Sequence, residues 1–197
     1  MKIVLATQNK GKVREMSAIL APLGAEVFSL ADMNIDVDVE ENGTSFAENA
    51  MIKARAIFEL VPEGMGVVAD DSGLCVDALG GDPGVYSARY GGMNTDKERN
   101  ALLARNLSAI NASNSKARFV CAIACILPDG SAVEVQGQCE GHMTDTEKGE
   151  GGFGYDPLFV PDGCGGLTMA EISAEEKNRI SHRALALEKL KAELGKR

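Results

Sequence analysis

One stretch, residues 67–74, constrains the fold of this chain more than any other. It runs Val-Val-Ala-Asp-Asp-Ser-Gly-Leu, an apolar segment that ends in two adjacent acids. The apolar segment predicts a buried strand, and Ser72-Gly73 predicts the turn that ends it. Because successive side chains of a strand point to opposite faces, one of Asp70 and Asp71 can face a cleft while the other faces the scaffold.

The two acids have two possible roles. Open α/β sheets place ligand chemistry at the carboxyl ends of their strands, and buried aspartates are nearly always paired or bound to metal. Aspartate is also a common cap of helices and turns. The pair alone leaves both roles open, and the other polar clusters of the chain decide between them.

Alternating strands and helices indicate a mixed α/β sheet. Strands are predicted at 2–6 and 26–30, and a hairpin at 118–141 turns at Pro128-Asp129-Gly130. The first helix follows Asn9 with apolar residues at helical spacing up to Leu23, and later helices begin at three Ser/Thr-x-x-Glu capping boxes. We expect one domain over residues 1–197, with helices flanking the sheet and two lobes separated by an active-site cleft.

Composition excludes several classes of protein. The net charge of −9 argues against broad nucleic-acid binding, although a small anion could bind at a local cluster of lysines or through a divalent metal. Five cysteines without a Cys-x-x-Cys pair, and only two histidines, argue against a disulfide framework and a Cys/His zinc site. We expect the protein to reside in a reducing cytosol and to have neither a membrane-spanning segment nor a signal peptide.

Further polar clusters suit a metal-bound nucleotide. The loop before the first helix is rich in lysine and amide side chains, which suits phosphate, although this stretch alone slightly favours an ordinary βα turn with solvated lysines. An acidic run at 32–41 offers oxygen ligands to a hard cation such as Mg2+, although such runs are usually solvated loops. Residues 149–156 place four glycines around Phe153, which indicates either a stacking platform or a surface loop with a buried anchor. No Gly-x-Ser-x-Gly elbow supports a serine nucleophile.

These clusters contain a set of motifs that occur in one order along the chain. The chain resembles the inosine triphosphate pyrophosphatase family, the noncanonical purine nucleoside triphosphate pyrophosphatases (dITP/XTP pyrophosphatases) of bacteria. The matching motifs are Ala6-Thr7-x-Asn9-x-Gly11-Lys12, Glu41-x-Gly43-Thr44-Ser45-Phe46-x-Glu48-Asn49-Ala50, Ala69-Asp70-Asp71-Ser72-Gly73-Leu74, Leu79-Gly80-Gly81-x-Pro83-Gly84-Val85-Tyr86-Ser87-Ala88-Arg89, Gly151-Gly152-Phe153-Gly154-Tyr155-Asp156-Pro157 and Ser181-His182-Arg183. Gln8 stands where many relatives carry glycine.

The resemblance implies an elongated central sheet and hydrolysis of ITP, dITP and XTP to the monophosphate and pyrophosphate. It also implies Mg2+ dependence, a homodimer and a cytoplasmic role in removing deaminated purines from the nucleotide pool.

By the same resemblance, Asp71 is the general base and lies near the metal, with Glu40 or Glu41 as a further metal ligand. The residues implied to bind the triphosphate are Thr7, Gln8, Asn9, Lys10, Gly11, Lys12, Lys53 and Ser72. Phe153 would stack on the base in a pocket shaped by Gly154, Tyr155 and Asp156, and Lys177, His182 and Arg183 would recognise the nucleotide.

Two other functions stay open from the sequence. One is a nucleotide-sanitising pyrophosphatase that prefers a pyrimidine or a modified base. The other is a non-enzymatic nucleotide- or RNA-binding module, against which the negative charge and the paired acids argue.

Overall fold

The computed structural model describes residues 1–21 and 24–196. Leu23, the last apolar residue of the first predicted helix, lies outside the described residues. The strands are β1 (Lys2–Leu5), β2 (Glu26–Ser29), β3 (Gly66–Val76), β4 (Lys116–Ile126), β5 (Ala132–Met143) and β6 (Phe159–Pro161). The helices are α1 (Lys10–Leu20), α2 (Phe46–Phe58), α3 (Asp96–Ala109), α4 (Ala174–Ile180) and α5 (His182–Leu194).

The strands form a mixed six-stranded sheet in the order β2-β1-β3-β4-β5-β6. β1 runs parallel to both β2 and β3, whereas β5 and β6 are antiparallel. The predicted mixed α/β class is therefore confirmed. The predicted hairpin is present as β4 and β5, and the Leu127 N–H donates to the Ser131 carbonyl across its turn at 2.8 Å.

Local capping explains where the helices begin. The Asn9 side chain accepts hydrogen bonds from the N–H groups of Gly11 and Lys12 and so caps α1. Thr95 and Glu98 form a complete capping box at α3. At α2, Ser45 accepts from the Glu48 N–H, but the Glu48 carboxylate bonds to Thr44 instead of closing the box.

Strand β3 continues through Ser72-Gly73, so the predicted turn at this point was wrong. Leu74 and Val76, beyond the glycine, are fully buried in a hydrophobic cluster, and their burial favours continuation of the strand. Asp70 and Asp71 consequently lie in the middle of a long strand and not at its end.

Two compact units make up the chain. The first contains Met1–Asp71, Cys121–Gly137 and the C-terminal segment from Arg183 onward. Its apolar residues form two clusters: Val68 packs with α1 and α5 residues such as Met16 and Leu187, and Val67 and Ala69 pack with α2.

The second unit contains Ser72–Val120 and Gln138–His182. One apolar cluster fills it, in which Leu103 and Leu107 of α3 pack with residues of β3, β4 and β5. The predicted cleft between two lobes stays a prediction. Within residues 1–21 and 24–196, no helix combines the length and apolar character needed to cross a bilayer.

Candidate functional site

The two acids of β3 point to opposite faces of the strand, as its alternation requires. Asp70 contacts Lys12 and Arg183, which belong to α1 and α5. Asp71 contacts Asn49 and Lys53, which belong to α2. The acids are 1% and 8% exposed, respectively, so both need charged or polar partners.

Asp71 is oriented by a short chain of hydrogen bonds. The Asn49 Nδ2 donates to Asp71 Oδ2 at 3.1 Å, and the Asn49 Oδ1 accepts from the Gly43 N–H at 2.8 Å. A Cβ on residue 43 would lie 2.7 Å from Asn49 Oδ1, so a glycine is required for this approach. The Gly43 N–H fixes which end of the amide faces Asp71.

A lysine ammonium lies beside two carboxylates from different parts of the first unit. Lys53 Nζ is 2.9 Å from Glu41 Oε2 and 3.7 Å from Asp71 Oδ1. Glu41 is half-buried, whereas Glu40 is exposed. Of the two glutamates proposed as ligands, Glu41 is therefore the one that shares a cation with Asp71.

Burial and charge act in opposite directions on this group. Burial raises the pKa of the Asp71 carboxyl, and its effect exceeds the lowering by Lys53 and by the Asn49 hydrogen bond. Burial lowers the pKa of Lys53, but the charges of Asp70 and Asp71 and the contact with Glu41 raise it above its usual value. Asp71 is thus a carboxylate of increased basicity beside a fully protonated ammonium.

Asp70 occupies a separate, more deeply buried ion-pair network. Its Oδ2 is 3.1 Å from Lys12 Nζ and accepts from Arg183 Nη2 at 3.1 Å and Nε at 3.2 Å. Arg183 also donates to Glu15 and is only 1% exposed. Burial alone would raise the pKa of Asp70, but Lys12 and Arg183 hold it well below its usual range. Asp70 is an ionised structural anchor.

The loop before α1 lies next to this network. The Thr7 hydroxyl accepts from the Asn9 N–H at 3.2 Å, and the Gln8 side chain donates to the Val37 carbonyl at 3.3 Å. Gln8, Asn9 and Lys10 are exposed, and Gly11 and Lys12 are half-buried. The two lysines of this loop therefore differ in environment. Lys10 is exposed to solvent, whereas Lys12 is half-buried and paired with Asp70.

The glycine-rich segment of the second unit, residues 149–156, is called the Phe153 loop below. The Phe153 N–H donates to Asp156 Oδ2 at 2.8 Å, and Lys177 Nζ lies 2.6 Å from the same oxygen. Lys177 Nζ is also 4.7 Å from the centre of the Phe153 ring, a cation–π contact. A Cβ on residue 152 would clash with Asp156 Oδ2, so Gly152 permits this arrangement.

The remaining predicted site residues of the second unit are mostly buried. The Tyr155 hydroxyl donates to the Ser87 carbonyl at 2.8 Å. The His182 ring stacks on Phe119 with centroids 4.9 Å apart. Ser72 is half-buried in β3.

A cluster of three or more protein metal ligands and a cysteine nucleophile both find little support. Within the described part of the chain, no group of three or more His, Cys, Asp or Glu residues is arranged to hold a metal ion. Burial raises the pKa of both Cys121 and Cys139 to about 12, so neither thiol supplies a thiolate nucleophile near neutral pH.

Comparison with protein families identifies the chain. The model of the Ham1 family matches residues 3–193, nearly the whole length. The chain belongs to the Ham1 family. The acidic group on β3 and the Phe153 loop both lie within the matched residues.

Relatives and solved structures of the Ham1 type agree with this. A Geobacillus kaustophilus protein named dITP/XTP pyrophosphatase is 50% identical over 191 residues, which cover 96% of this chain and 92% of that protein. A Thermus thermophilus protein of the same name is also 50% identical over 191 residues, 96% of this chain and 90% of its own. The structure of a HAM1 protein from Coxiella burnetii matches with a TM-score of 0.87 and 39% identity over 100% of both chains. The structure of the Staphylococcus aureus Ham1 protein matches with a TM-score of 0.85 and 39% identity, again over 100% of both chains.

In this Ham1 chain, sequence reasoning missed Asn49 as a partner of Asp71. The signal was present, because Asn49 lies four residues before Lys53 on a predicted helix and so shares its face. Asp96 and Asn100, which contact the Phe153 loop, carried no such signal. They are 58 and 54 residues away from Gly154 in the chain.

Proposed function

We propose that this Ham1 protein is a nucleoside triphosphate pyrophosphatase that acts on noncanonical purines. Its substrates are ITP, dITP and XTP, its products are the monophosphate and pyrophosphate, and its role is to remove deaminated purines from the nucleotide pool. Family membership and the names of relatives at 50% identity support this. The observation that carries the proposal is the placement of Asp71 and Glu41 on one ammonium, that of Lys53.

Asp71 acts as the general base that takes a proton from the attacking water. Its raised pKa makes it a stronger base than an exposed aspartate, and the Gly43–Asn49 chain fixes its orientation. Lys53 keeps the carboxylate ionised and supplies positive charge close to the polyanionic substrate.

Mg2+ is the cofactor of the proposed reaction, with Asp71 and Glu41 as its protein ligands. The donor set fits, because Mg2+ commonly binds one or two carboxylates and completes its shell with water and substrate phosphates. Both carboxylates already share a cation in Lys53. When bound, the metal supplies charge neutralisation to the phosphates.

The triphosphate is bound by the loop before α1. Thr7, Gln8, Asn9 and Lys10 present polar side chains to an anion, and the Gly11 N–H would bind it in place of the Asn9 side chain that caps α1. Ser72 is a further hydroxyl on β3. Lys12 takes part through its Nζ, whose charge is shared with Asp70.

The base is recognised at the Phe153 loop. Phe153 provides a stacking face, and Lys177, held by Asp156, is a donor beside it. A 6-keto oxygen accepts a hydrogen bond, whereas the 6-amino group of adenine donates one. ATP would therefore leave a donor unmet, at a penalty of about 1–3 kcal/mol.

His182 and Arg183, at the start of α5, recognise the nucleotide in this proposal, on the family resemblance. The His182 ring is fixed by its stack on Phe119, and the Arg183 guanidinium is fixed by Asp70 and Glu15.

We also propose a homodimer that acts in the cytoplasm, on the family resemblance. Size-exclusion chromatography with light scattering would give about twice the 20.8 kDa mass of the chain. A mass equal to one chain would contradict the dimer.

A substrate panel tests the function. ITP, dITP, XTP, ATP, GTP and a pyrimidine triphosphate are each incubated with the protein, with and without Mg2+, and released pyrophosphate is measured. We expect the highest kcat/KM for the 6-keto noncanonical purines, and only with Mg2+. A preference for the pyrimidine would favour a different sanitising enzyme, and no release from any of them would favour a binding module.

A further inference from the structure

Two side chains of α3 hold one glycine of the Phe153 loop. Asp96 Oδ2 accepts from the Gly154 N–H at 2.8 Å, and Asn100 Nδ2 donates to the Gly154 carbonyl at 3.1 Å. The N–H belongs to the peptide bond that follows Phe153, and the carbonyl to the next peptide bond. The two contacts therefore fix the backbone on both sides of Gly154.

The helix that carries these side chains is itself well anchored. Asp96 is the first residue of α3 and Asn100 follows four residues later, so both lie on one helix face. The Thr95–Glu98 capping box fixes the first turn. Arg99 pairs with Asp96 and also donates to the Met93 carbonyl at 2.9 Å, which orients the Asp96 carboxylate.

The contact with Gly154 explains why a buried position of α3 carries asparagine, Asn100, and not an apolar residue. Its side chain is almost completely buried, with the residue 3% exposed, yet its Oδ1 has no hydrogen-bond partner among the described residues. A buried acceptor without a partner is destabilising, and an apolar residue of similar shape would avoid this penalty. The contact of its Nδ2 with Gly154 is the feature that such a residue could not reproduce.

The Phe153 loop needs external support to present a fixed surface. Glycine loses more backbone freedom on ordering than other residues, and this loop has four between 149 and 154. Asp156 already holds the N–H of Phe153 from inside the loop. The α3 contacts hold the other side of the same residue, and such preorganisation raises affinity for a flat ligand.

We propose that Asp96 and Asn100 are positioning residues that hold Gly154, and through it Phe153, in the orientation that stacks on the purine. The proposal rests on the function proposed above and adds to it residues outside the nucleotide contacts.

The test compares Asp96→Ala and Asn100→Ala with the wild-type protein. We expect each variant to raise KM for ITP by about 3- to 10-fold, the effect of one lost hydrogen bond, with a smaller change in kcat. Inhibition by inorganic tripolyphosphate, which has no base, should keep its Ki. Asp96→Asn, which retains an acceptor for the Gly154 N–H, should restore KM toward the wild-type value.

Asn106→Ala is the matched control on the same helix. Asn106 Nδ2 donates to the Tyr90 hydroxyl at 2.9 Å, so the variant loses one amide hydrogen bond, and this bond is not made to the Phe153 loop. Its KM should be unchanged. Asp96 is 48% exposed in its side chain, so Asp96→Ala decides the question if Asn100→Ala does not fold.

Hydrogen exchange of residues 149–156 without nucleotide gives a second readout. It should become faster in Asp96→Ala and stay unchanged in Asn106→Ala. An unchanged KM in Asp96→Ala, or an equal rise of KM and of the tripolyphosphate Ki, overturns the proposal. If the wild-type protein does not hydrolyse ITP, the function proposed above fails, and hydrogen exchange still tests the contacts on Gly154.

Discussion

Asp70 and Asp71 are adjacent in sequence, but their replacement by asparagine should have opposite consequences. Asp70→Asn removes the anion that Lys12 and Arg183 share, at a side chain with 0% exposure. Asp71→Asn keeps an oxygen that accepts a hydrogen bond from Asn49. It removes a buried carboxylate, and burial disfavours the ionised form of that carboxylate. The first change should destabilise the fold, and the second should abolish turnover while leaving the fold intact.

The expected magnitudes follow from these contacts. Removing one partner of a buried ion pair costs about 3–5 kcal/mol, and Arg183 keeps Glu15, which places Asp70→Asn near the lower end. For a chain of this size, roughly 3 kcal/mol lowers Tm by about 6–12 °C. Asp71→Asn should lower kcat by at least about 100-fold, the contribution of a general base.

The two acids also differ in the sign of their pH dependence. The folded-state pKa of Asp70 lies below its unfolded value of about 3.9, so its stabilisation is present above that pH and is lost as the pH falls. The folded-state pKa of Asp71 is raised, so its ionisation disfavours the folded state as the pH rises through that pKa. Asp71→Asn should therefore be at least as stable as the wild type at pH 7.

Thermal melts at several pH values measure the Tm of the wild type and of both variants. Hydrolysis of ITP at pH 7 measures their turnover. The Tm difference between wild type and Asp70→Asn should narrow below about pH 4. Equal Tm values for the two variants, or a difference that persists unchanged in acid, would refute the assignment of Asp70 as the ionised anchor. Near-normal turnover by a folded Asp71→Asn protein would refute the general base.

Three further predictions concern the cation, the metal and the base. Lys53→Met removes a charge that lowers the pKa of Asp71, so the acid limb of the kcat/KM–pH profile should move to higher pH; an acid limb at the wild-type pH would show that Lys53 does not act on the base. Glu41→Gln should raise the Mg2+ concentration for half-maximal activity by about 10-fold or more, and Glu40→Gln, at an exposed carboxylate, should raise it less; the reverse order would make Glu40 the ligand. Phe153→Ala should weaken ITP binding by roughly 1–3 kcal/mol, about 5- to 150-fold in KM, with the Ki of tripolyphosphate unchanged; a matching rise in Ki would argue against stacking.

Local signals made much of the fold predictable. Asn9 and Thr95 cap the helices that their positions indicated, because capping needs only groups within one turn. The hairpin at Pro128-Asp129-Gly130 also depends on neighbouring residues. The end of β3 was not predictable in this way, because burial of Leu74 and Val76 in the second unit outweighs the local turn preference of Ser72-Gly73.

The candidate site was predictable in its residue types but not in its pairings. Sequence could not choose between Glu40 and Glu41, since the choice depends on which one reaches Lys53. The residue pattern alone did not separate Asp70 from Asp71, and only the family resemblance chose Asp71 as the base, because the partner of Asp70, Arg183, lies 113 residues away in the chain. Such pairings are set by packing and leave no periodic pattern.

The products formed from ITP test the central claim most directly. The protein is incubated with ITP and Mg2+, and the reaction is followed by phosphorus NMR. A pyrophosphatase gives inosine monophosphate and pyrophosphate in equal amounts, with no orthophosphate, and Asp71→Asn gives neither. Release of inosine diphosphate and orthophosphate, or full activity in Asp71→Asn, would contradict the proposal.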